Sequence, residues 1–240
     1  MSMPARALRS VMRAVFSRAR VWRRKLFEMA GSDSYSHYAL NDLDYKLARH
    51  LDFRCGTFIE AGANDGLNQS NTYWFEHFRD WRGLLIEGVP DKAAECRRNR
   101  PRARVVNSAL VGNDEVKFIT MKTANLMAYV VGSFGKSEEE TTHLETAKRV
   151  QSLTSVEDIQ VPATRLSAIL DEQGMDAVDL FSLDVEGYEL EVLKGLDLKR
   201  HRPRFILVET KNIDGVLEVL DRQYTVVEQM SFHDYFLKAK

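Results

Sequence analysis

The chain has little cysteine and no long apolar run, and both absences exclude classes of protein. Cys55 and Cys96 are the only two cysteines among 240 residues, so the sequence predicts neither a disulfide framework nor a cysteine zinc site. The sequence contains no stretch of 18 apolar residues, the length that would be needed to cross a bilayer. Internal repeats and low-complexity tracts are also absent. With 44% hydrophobic and 29% charged residues, the composition predicts a soluble globular protein of the cytoplasm.

Acidic residues are scarce in one segment, the first thirty residues. Eight basic side chains stand there against Glu28 alone, a balance of +7, and the net charge of −1 leaves −8 for the remainder. The apolar residues of the segment share one helical stripe: Leu8, Met12, Val15, Ala19, Trp22 and Leu26. A basic amphipathic helix of this kind suits peripheral contact with the inner face of a membrane. A helix packed on the domain, a disordered tail and a mitochondrial presequence are the alternatives, and the pattern does not fit a nucleic-acid module.

Short apolar runs alternate with amphipathic stretches over residues 31–240, which predicts one α/β domain. The expected strands lie near 57–61, 83–87, 103–107, 178–183, 205–210, 224–228 and 235–238. The expected helices cover 34–51, 69–79, 91–99, 165–173, 186–194 and 213–221. This alternation indicates a mostly parallel seven-stranded sheet with helices on both faces. Too few residues separate the last two strands for a crossover, so they should form an antiparallel hairpin. Residues 121–160 do not continue this alternation of strands and helices, and they are expected to be either a lid or a disordered loop.

Polar residues follow the predicted strands at their carboxyl ends, where open parallel sheets bind ligands. The expected cofactor contacts are Glu60, Gly62, Asn64, Asp65, Gly66, Glu87, Asn107, Ser108 and Asp184. Glu87 comes 25 residues after Gly62, a spacing that suits a carboxylate bound to a ribose diol. The loop reads G-x-N-x-G instead of G-x-G-x-x-G, and its surrounding acids would repel a pyrophosphate. A cationic, phosphate-free cofactor, S-adenosylmethionine, therefore fits better than a dinucleotide.

Three blocks of sequence resemble the FkbM family of S-adenosylmethionine-dependent methyltransferases. They are "FIEAGANDGLNQSNTYWFE" (58–76), "WRGLLIEGVPDKAAECRRNRP" (81–101) and the region 161–210, in which "DVEGYELEVLKG" (184–195) is the most specific run. The resemblance implies a Rossmann-like class I methyltransferase fold with a reversed terminal hairpin. It also implies O-methylation of a hydroxyl, often on a surface glycan sugar or a natural product.

The resemblance carries over to individual residues, with two departures. It implies that Glu60, Gly62, Asn64 and Gly66 shape the methionine end of the cofactor site and that Glu87 binds the ribose. The family commonly has proline after this glutamate, whereas Gly88 follows it here, so a more flexible loop is expected. The family often has lysine where this chain has Ser182.

Methyl transfer to an alcohol requires a group that removes the hydroxyl proton. The expected catalytic residues are Asp184, Glu186 and His233, with Asp234 placed to orient the histidine. Glu186 could instead stabilise the dipole of the following helix. Asp184, Glu186 and Glu209 also offer oxygen ligands suited to magnesium, so a divalent metal is a further option.

These features predict an O-methyltransferase that acts on a sugar hydroxyl of a surface or lipid-linked glycan. Two alternatives stay open at this point. The acceptor could be a polyketide or other small natural product, or the chain could be a non-catalytic cofactor-binding module.

Overall fold

A computed structural model describes residues 21–134, 137–151 and 155–240. Most of the basic amphipathic segment, residues 1–20, therefore lies outside the described residues. The helices are α1 (21–29), α2 (Leu43–Ala48), α3 (Tyr73–Phe78), α4 (Pro90–Asn99), α5 (Ser137–Gln151), α6 (Leu166–Gln173), α7 (Glu189–Lys194) and α8 (Ile213–Val219). The strands are β1 (Thr57–Ala61), β2 (Arg82–Glu87), β3 (Arg104–Asn107), β4 (Ala109–Leu110), β5 (Phe118–Lys122), β6 (Tyr129–Val130), β7 (Asp158–Thr164), β8 (Leu180–Leu183), β9 (Phe205–Glu209), β10 (Tyr224–Gln229) and β11 (Asp234–Ala239). Short 3₁₀ turns cover Leu40–Asp42 and Asn125–Met127.

Seven strands form the central sheet, in the order β10-β11-β9-β8-β1-β2-β3. All neighbouring pairs from β9 to β3 are parallel, and β11 runs antiparallel to both β9 and β10. The predicted Rossmann-like methyltransferase fold with a reversed terminal hairpin is thus confirmed. Ala61 pairs with Ile86 on one side and Leu183 on the other. The three strands consequently end together, and the residues after them share one edge of the sheet.

Both faces of the sheet are buried, which explains why its strands read as continuous apolar runs. Successive residues of one strand point to opposite faces of the sheet. Ile59 packs with α6, α7 and α8 on one face, whereas Phe58 packs with α2, α3 and Trp81 on the other. This double covering fixes the strand ends that carry the polar residues.

A second, smaller sheet has four strands in the order β4-β7-β5-β6, of which β6 and parts of β5 and β7 belong to the predicted lid region, 121–160. The long α5 follows β6. The small sheet packs on the main domain through an apolar cluster that includes Val89, Met121, Val130 and Val161. The described part of 121–160 is therefore folded. The strands of the small sheet escaped sequence analysis because β4 and β6 have only two residues each and β5 and β7 mix Thr, Lys and Gln with apolar residues.

Among the helices that start later than their sequence spacing predicts, two have a clear backbone reason. The helix expected from 186 begins at Glu189, because Glu186 (φ 54°) and Gly187 (φ 90°) occupy the left-handed region. Similarly, Asn41 and Asp42 have φ of 53° and 56°, so the helix expected over 34–51 is limited to α2. Left-handed residues cannot continue a right-handed helix. None of the helices described here has both the length and the apolarity needed to cross a bilayer.

Candidate cofactor and acceptor site

A cleft opens at the carboxyl ends of β1, β2 and β8. One wall is the loop after β1, and the opposite wall comes from the small sheet through Met121, Leu126 and Val130. Seven of the predicted site residues line this cleft: Glu60, Gly62, Asn64, Glu87, Ser108, Asp184 and Glu186. The structure thus brings together residues that lie up to 126 positions apart in the chain.

Gly62 is where the loop after β1 meets the loop after β8. Its φ is +81°, and a Cβ built on it would stand 1.7 Å from the carbonyl oxygen of Asp184. Its amide donates to the carbonyl of Ile86 at 3.0 Å. Only glycine tolerates both the backbone conformation and the close approach. The glycine therefore joins the ends of the three central strands into one floor for the cleft.

Glu87 is a buried carboxylate held in place by backbone donors. The amide of Asn64 donates to one of its oxygens at 2.8 Å, and the amide of Val89 donates to the other at 2.7 Å. Burial raises the pKa of Glu87 to about 7, although these two hydrogen bonds oppose the rise. Each carboxylate oxygen keeps a further lone pair for a hydroxyl donor. This geometry suits the ribose-binding role that the sequence predicts.

Glu60 faces the protein more than the cleft. Its carboxylate accepts hydrogen bonds from the Ser70 hydroxyl (2.8 Å), the Asn71 amide (2.8 Å) and the Thr72 hydroxyl (2.5 Å). The Arg100 guanidinium lies 3.7 Å from it. Glu60 therefore shapes the cleft by fixing the residues that precede α3. Ser70 in turn caps that helix by accepting the amide of Tyr73 at 3.1 Å.

Two asparagines that line the cleft have unsatisfied oxygens. The Oδ1 atoms of Asn64 and Asn71 are buried and have no hydrogen-bond partner among the described residues. Ser182, which replaces the family's lysine, accepts from Asn71 Nδ2 at 3.1 Å and so fixes the orientation of this side chain. Buried acceptors are nearly always paired in folded proteins. A ligand with ammonium or hydroxyl donors would complete both of them.

The charges of the cleft favour a cationic ligand. Among the described residues that line it, none is lysine or arginine, whereas Glu60, Glu87, Asp184 and Glu186 are acidic. S-adenosylmethionine has a sulfonium and an ammonium group, ribose hydroxyls and no phosphate. The unsatisfied oxygens, the Glu87 carboxylate and the acidic lining all fit this molecule. Glu87 would hold its ribose, and Asn64 and Asn71 would accept its polar donors.

Three expected cofactor contacts lie outside the cleft lining. Asp65 accepts the amides of Leu67 and Asn68 and shapes the loop. Gly66 has φ +79° and packs against Arg100. Asn107 donates to the carbonyls of Glu87 and Gly88 at 2.8 and 2.9 Å. These residues support the loops that line the cleft.

Gly88, the other departure from the family, has a packing role. A Cβ at this position would stand 2.4 Å from Met121 Sδ. Glycine therefore lets β5 of the small sheet lie directly on the loop after β2.

Three carboxylates converge beyond the β8 end of the cleft. Asp184 and Glu209 share a hydrogen bond, and burial together with the Glu209 charge raises the pKa of Asp184 well above its usual range. Burial and the Glu186 carboxylate raise the pKa of Glu209 to about 7. Burial, with Asp184 and Glu189 nearby, raises the pKa of Glu186 to about 9. A group of proton acceptors with raised pKa values is typical of acid–base chemistry.

Glu186 is not part of the helix that follows it. Glu189 is instead the first residue of that helix, and its carboxylate accepts the loop amides of Val185 (3.3 Å) and Gly187 (2.9 Å). Glu186 has φ 54°, a left-handed conformation that is uncommon outside glycine and is concentrated at functional sites. Its side chain is free to line the cleft.

His233 lies at the rim of this acidic group and outside the cleft lining. Its Nε2 is 3.3 Å from Glu209 Oε1, so Glu209 is its carboxylate partner. Asp234, which the sequence suggested for that role, accepts from the Ser231 hydroxyl. Ligand atoms of Glu209, His233 and Asp234 lie within 4.8 Å of one another. This trio, rather than Asp184 with Glu186 and Glu209, is the group of described residues best placed to hold a divalent metal.

His143 is a site residue that sequence analysis missed. It lies on α5, with Nδ1 3.8 Å from Glu186 Oε2 and Nε2 3.1 Å from the carbonyl of Met127. Its ring packs on Phe134, which in turn contacts Gly187. The segment that follows β6, with Phe134 and α5, thus contacts the loop of residues 184–187. No motif in the acidic stretch around this histidine signals its position.

Comparisons with known proteins find methyltransferases of related sequence. The family model described as "Methyltransferase FkbM domain" matches residues 60–238. The chain is 26% identical over 222 residues to the methyltransferase sdnD of Sordaria araneosa, which covers 79% of this chain and 83% of that protein.

Two solved structures are similar over most of their length. A putative S-adenosyl-L-methionine-dependent methyltransferase from Methanococcus maripaludis has 8% identity and a TM-score of 0.44, covering 92% of this chain and 93% of that one. A TehB-like SAM-dependent methyltransferase from Corynebacterium glutamicum has 13% identity and a TM-score of 0.42, covering 95% and 100%.

Proposed function

The chain belongs to the FkbM family of S-adenosylmethionine-dependent methyltransferases, and we propose that it methylates a hydroxyl group of a sugar in a surface or lipid-linked glycan. One observation carries this proposal: Asp184, Glu186 and Glu209 converge at the end of the cofactor cleft with raised pKa values. A hydroxyl must lose its proton on methylation, and carboxylates of this kind can accept it. Carboxylates also bind the neighbouring hydroxyls of a sugar by charge-assisted hydrogen bonds.

The proposed mechanism assigns one task to each carboxylate. S-adenosylmethionine supplies, when bound, an electrophilic methyl group whose transfer to oxygen requires the loss of the hydroxyl proton. Glu186 lines the cleft and accepts that proton. Asp184 and Glu209 share a proton through their hydrogen bond and orient the acceptor. His143 and Phe134 cover Glu186 from the small-sheet side, which limits access of water.

The acceptor class is tested by transferring a ¹³C-labelled methyl group from the cofactor. Purified protein would be incubated with sugar glycosides, a lipid-linked glycan extract and a set of polyketides and phenols, and the product examined by NMR. A methoxy carbon on a sugar supports the proposal. Transfer only to a polyketide or phenol changes the acceptor, and an N-methyl or C-methyl product overturns hydroxyl methylation. Cofactor binding without transfer to any acceptor favours the non-catalytic alternative.

We expect Glu87→Ala to weaken S-adenosylmethionine binding by about 30-fold or more, because the ribose loses charge-assisted hydrogen bonds worth roughly 1.5–3 kcal/mol each. Isothermal titration calorimetry measures the change. Glu95→Ala is the matched control, since Glu95 lies on the outer side of α4 and pairs with Lys92. Thermal melts of both variants show whether each is folded. Unchanged binding in a folded Glu87→Ala protein would contradict the assigned ribose site.

Binding of the cofactor should also strengthen as the pH rises through about 7. The pKa of Glu87 is raised to about 7 by burial, and the ionised carboxylate is the better acceptor for ribose hydroxyls. Its ionised fraction rises about tenfold from pH 6 to pH 8 if the pKa is 7, so the Kd falls by up to about tenfold. Calorimetry at these two pH values measures this, and Glu87→Gln should abolish the dependence. A Kd that increases with pH would mean that the protonated acid binds.

A further inference from the structure

Helix α1 packs on the domain through its charged side. Arg24 is buried, with Nε 3.4 Å from Glu28 Oε1, and donates to the Tyr38 hydroxyl at 2.9 Å. Glu28 accepts from the hydroxyls of Tyr73 (2.7 Å) and Ser36 (2.9 Å). These contacts fix the orientation of the helix against α3.

The side of α1 that faces solvent is apolar. Trp22, Leu26 and Met29, at positions i, i+4 and i+7, form one stripe, and they are 65%, 57% and 75% exposed. A surface helix of a globular protein normally has the opposite arrangement, with its apolar stripe towards the core. The exposed stripe of Trp22, Leu26 and Met29, here called the α1 stripe, is held outward by the buried Arg24–Glu28 pair.

We propose that the α1 stripe inserts into the interfacial region of a bilayer that contains anionic lipids. Arg23 and Lys25 are exposed beside the stripe, and the preceding twenty residues have five arginines and no acidic residue. Tryptophan and leucine next to basic side chains form the composition of interfacial helices, in which apolar burial and attraction to anionic headgroups act together.

A bilayer suits this surface better than a second copy of the chain. A specific protein interface buries about 800 Å² on each partner, more than three side chains on a nine-residue helix cover. A bilayer requires only apolar anchors and positive charge. The remainder of the chain carries −8, so an anionic surface would repel it and attract only the basic segment. The charge distribution therefore fixes which side of the molecule meets the lipid.

The proposed contact lies close to the cofactor cleft. Glu28 binds Tyr73, the first residue of α3, and Ser70 and Asn71 just before that helix line the cleft. Docking through α1 would bring the cleft near the lipid headgroups, where a lipid-linked acceptor is found. The membrane contact itself does not depend on the identity of the acceptor.

Co-sedimentation of the full chain with sucrose-loaded vesicles tests the proposal. We expect binding to vesicles of phosphatidylcholine with phosphatidylglycerol, much weaker binding to phosphatidylcholine alone, and release at high salt. The triple variant Trp22→Ser, Leu26→Ser, Met29→Ser should lower the partition coefficient by about tenfold or more. Leu40→Ser with Phe232→Ser is the matched control, since both residues are exposed outside α1, and it should bind like the native chain.

Fluorescence adds a readout specific to this helix. The emission of Trp22 should shift to the blue on vesicle binding and be quenched by brominated lipids, and Trp22→Phe should remove that change while binding persists. The proposal is overturned if the native chain stays in the supernatant with anionic vesicles, or if the triple variant sediments as the native chain does. It is also overturned if the native chain forms a dimer in sedimentation velocity that the triple variant does not form.

Discussion

Glu186→Gln should lower kcat for methyl transfer by about 10²–10⁴-fold, the range over which a positioned general base contributes to a rate. Glutamine keeps the size of the side chain but cannot accept the hydroxyl proton. Glu186 lines the cleft beside Asp184, and its left-handed backbone (φ 54°) is unaffected by a change of carboxylate to amide. The Kd for S-adenosylmethionine should change little, because the residues proposed to hold the cofactor are Glu87 and the two asparagines.

Steady-state kinetics with the identified acceptor would measure this effect. Glu191→Gln is the matched control, since Glu191 lies on α7 and pairs with Lys194 at the surface. The native rate should increase from pH 7 towards pH 9, because the pKa of Glu186 is raised to about 9 by burial and only the ionised form is a base. Glu186→Gln should remove that increase.

Two results would assign the role of general base to another group. If Glu186→Gln retains the native rate and His233→Gln loses it, the base is His233 with Glu209. If chelation abolishes activity and magnesium restores it, the trio of Glu209, His233 and Asp234 holds a catalytic metal, and the role of Glu186 is secondary.

Arg100→Met should reduce the free energy of unfolding by about 3–5 kcal/mol, the cost of removing one partner from a buried ion pair. Arg100 follows α4 and is 1% exposed. Its guanidinium lies 2.7 Å from Glu76 and 3.7 Å from Glu60, and it donates to the Ser70 and Thr72 hydroxyls at 3.0 Å. Methionine fills part of the space but leaves two carboxylates buried without a counter-charge.

Urea denaturation followed by circular dichroism would measure the loss. Arg98→Met, an exposed arginine on the same helix, is the matched control and should change stability by less than about 0.5 kcal/mol. Because Glu60 positions the residues before α3, Arg100→Met should also weaken cofactor binding. A stability loss below about 1 kcal/mol would show that solvent or a nearby side chain compensates the two acids.

The inner strands β1, β2, β8 and β9 of the central sheet were predictable because they are buried on both faces. Runs such as "FIEA" and "GLLIE" are nearly continuous apolar stretches and are easily recognised as strands. Glu60 and Glu87, near their carboxyl ends, indicate the edge of the sheet at which these strands end. The cleft-lining residues follow from that topology. What topology cannot give is the direction of a side chain, and for this reason Asp65 and Asn107 were expected in the cleft but support its loops.

The burial of Arg100 could have been predicted from the sequence. In "DKAAECRRNR" it lies seven residues after Ala93 and four after Cys96, so that it continues the apolar stripe of α4 just past the end of the helix, whereas Arg97 and Arg98 are exposed. A charged residue on an apolar stripe predicts a buried partner. His143 offers no such signal. Its contact with Glu186 depends on how the small sheet packs on the domain, which local sequence does not encode.

The pairing of β1 with β8 has a consequence for synthesis of the chain. Phe58 pairs with Leu180. On this side, β1 therefore has no partner until β8, 122 residues later in the chain, has been translated. At about 5–20 residues per second this takes roughly 6–24 s, during which one edge of β1 is open. Gly62 meets the carbonyl of Asp184 only after β8 has emerged. The cofactor can therefore stabilise the finished domain but cannot act as a template for the nascent one.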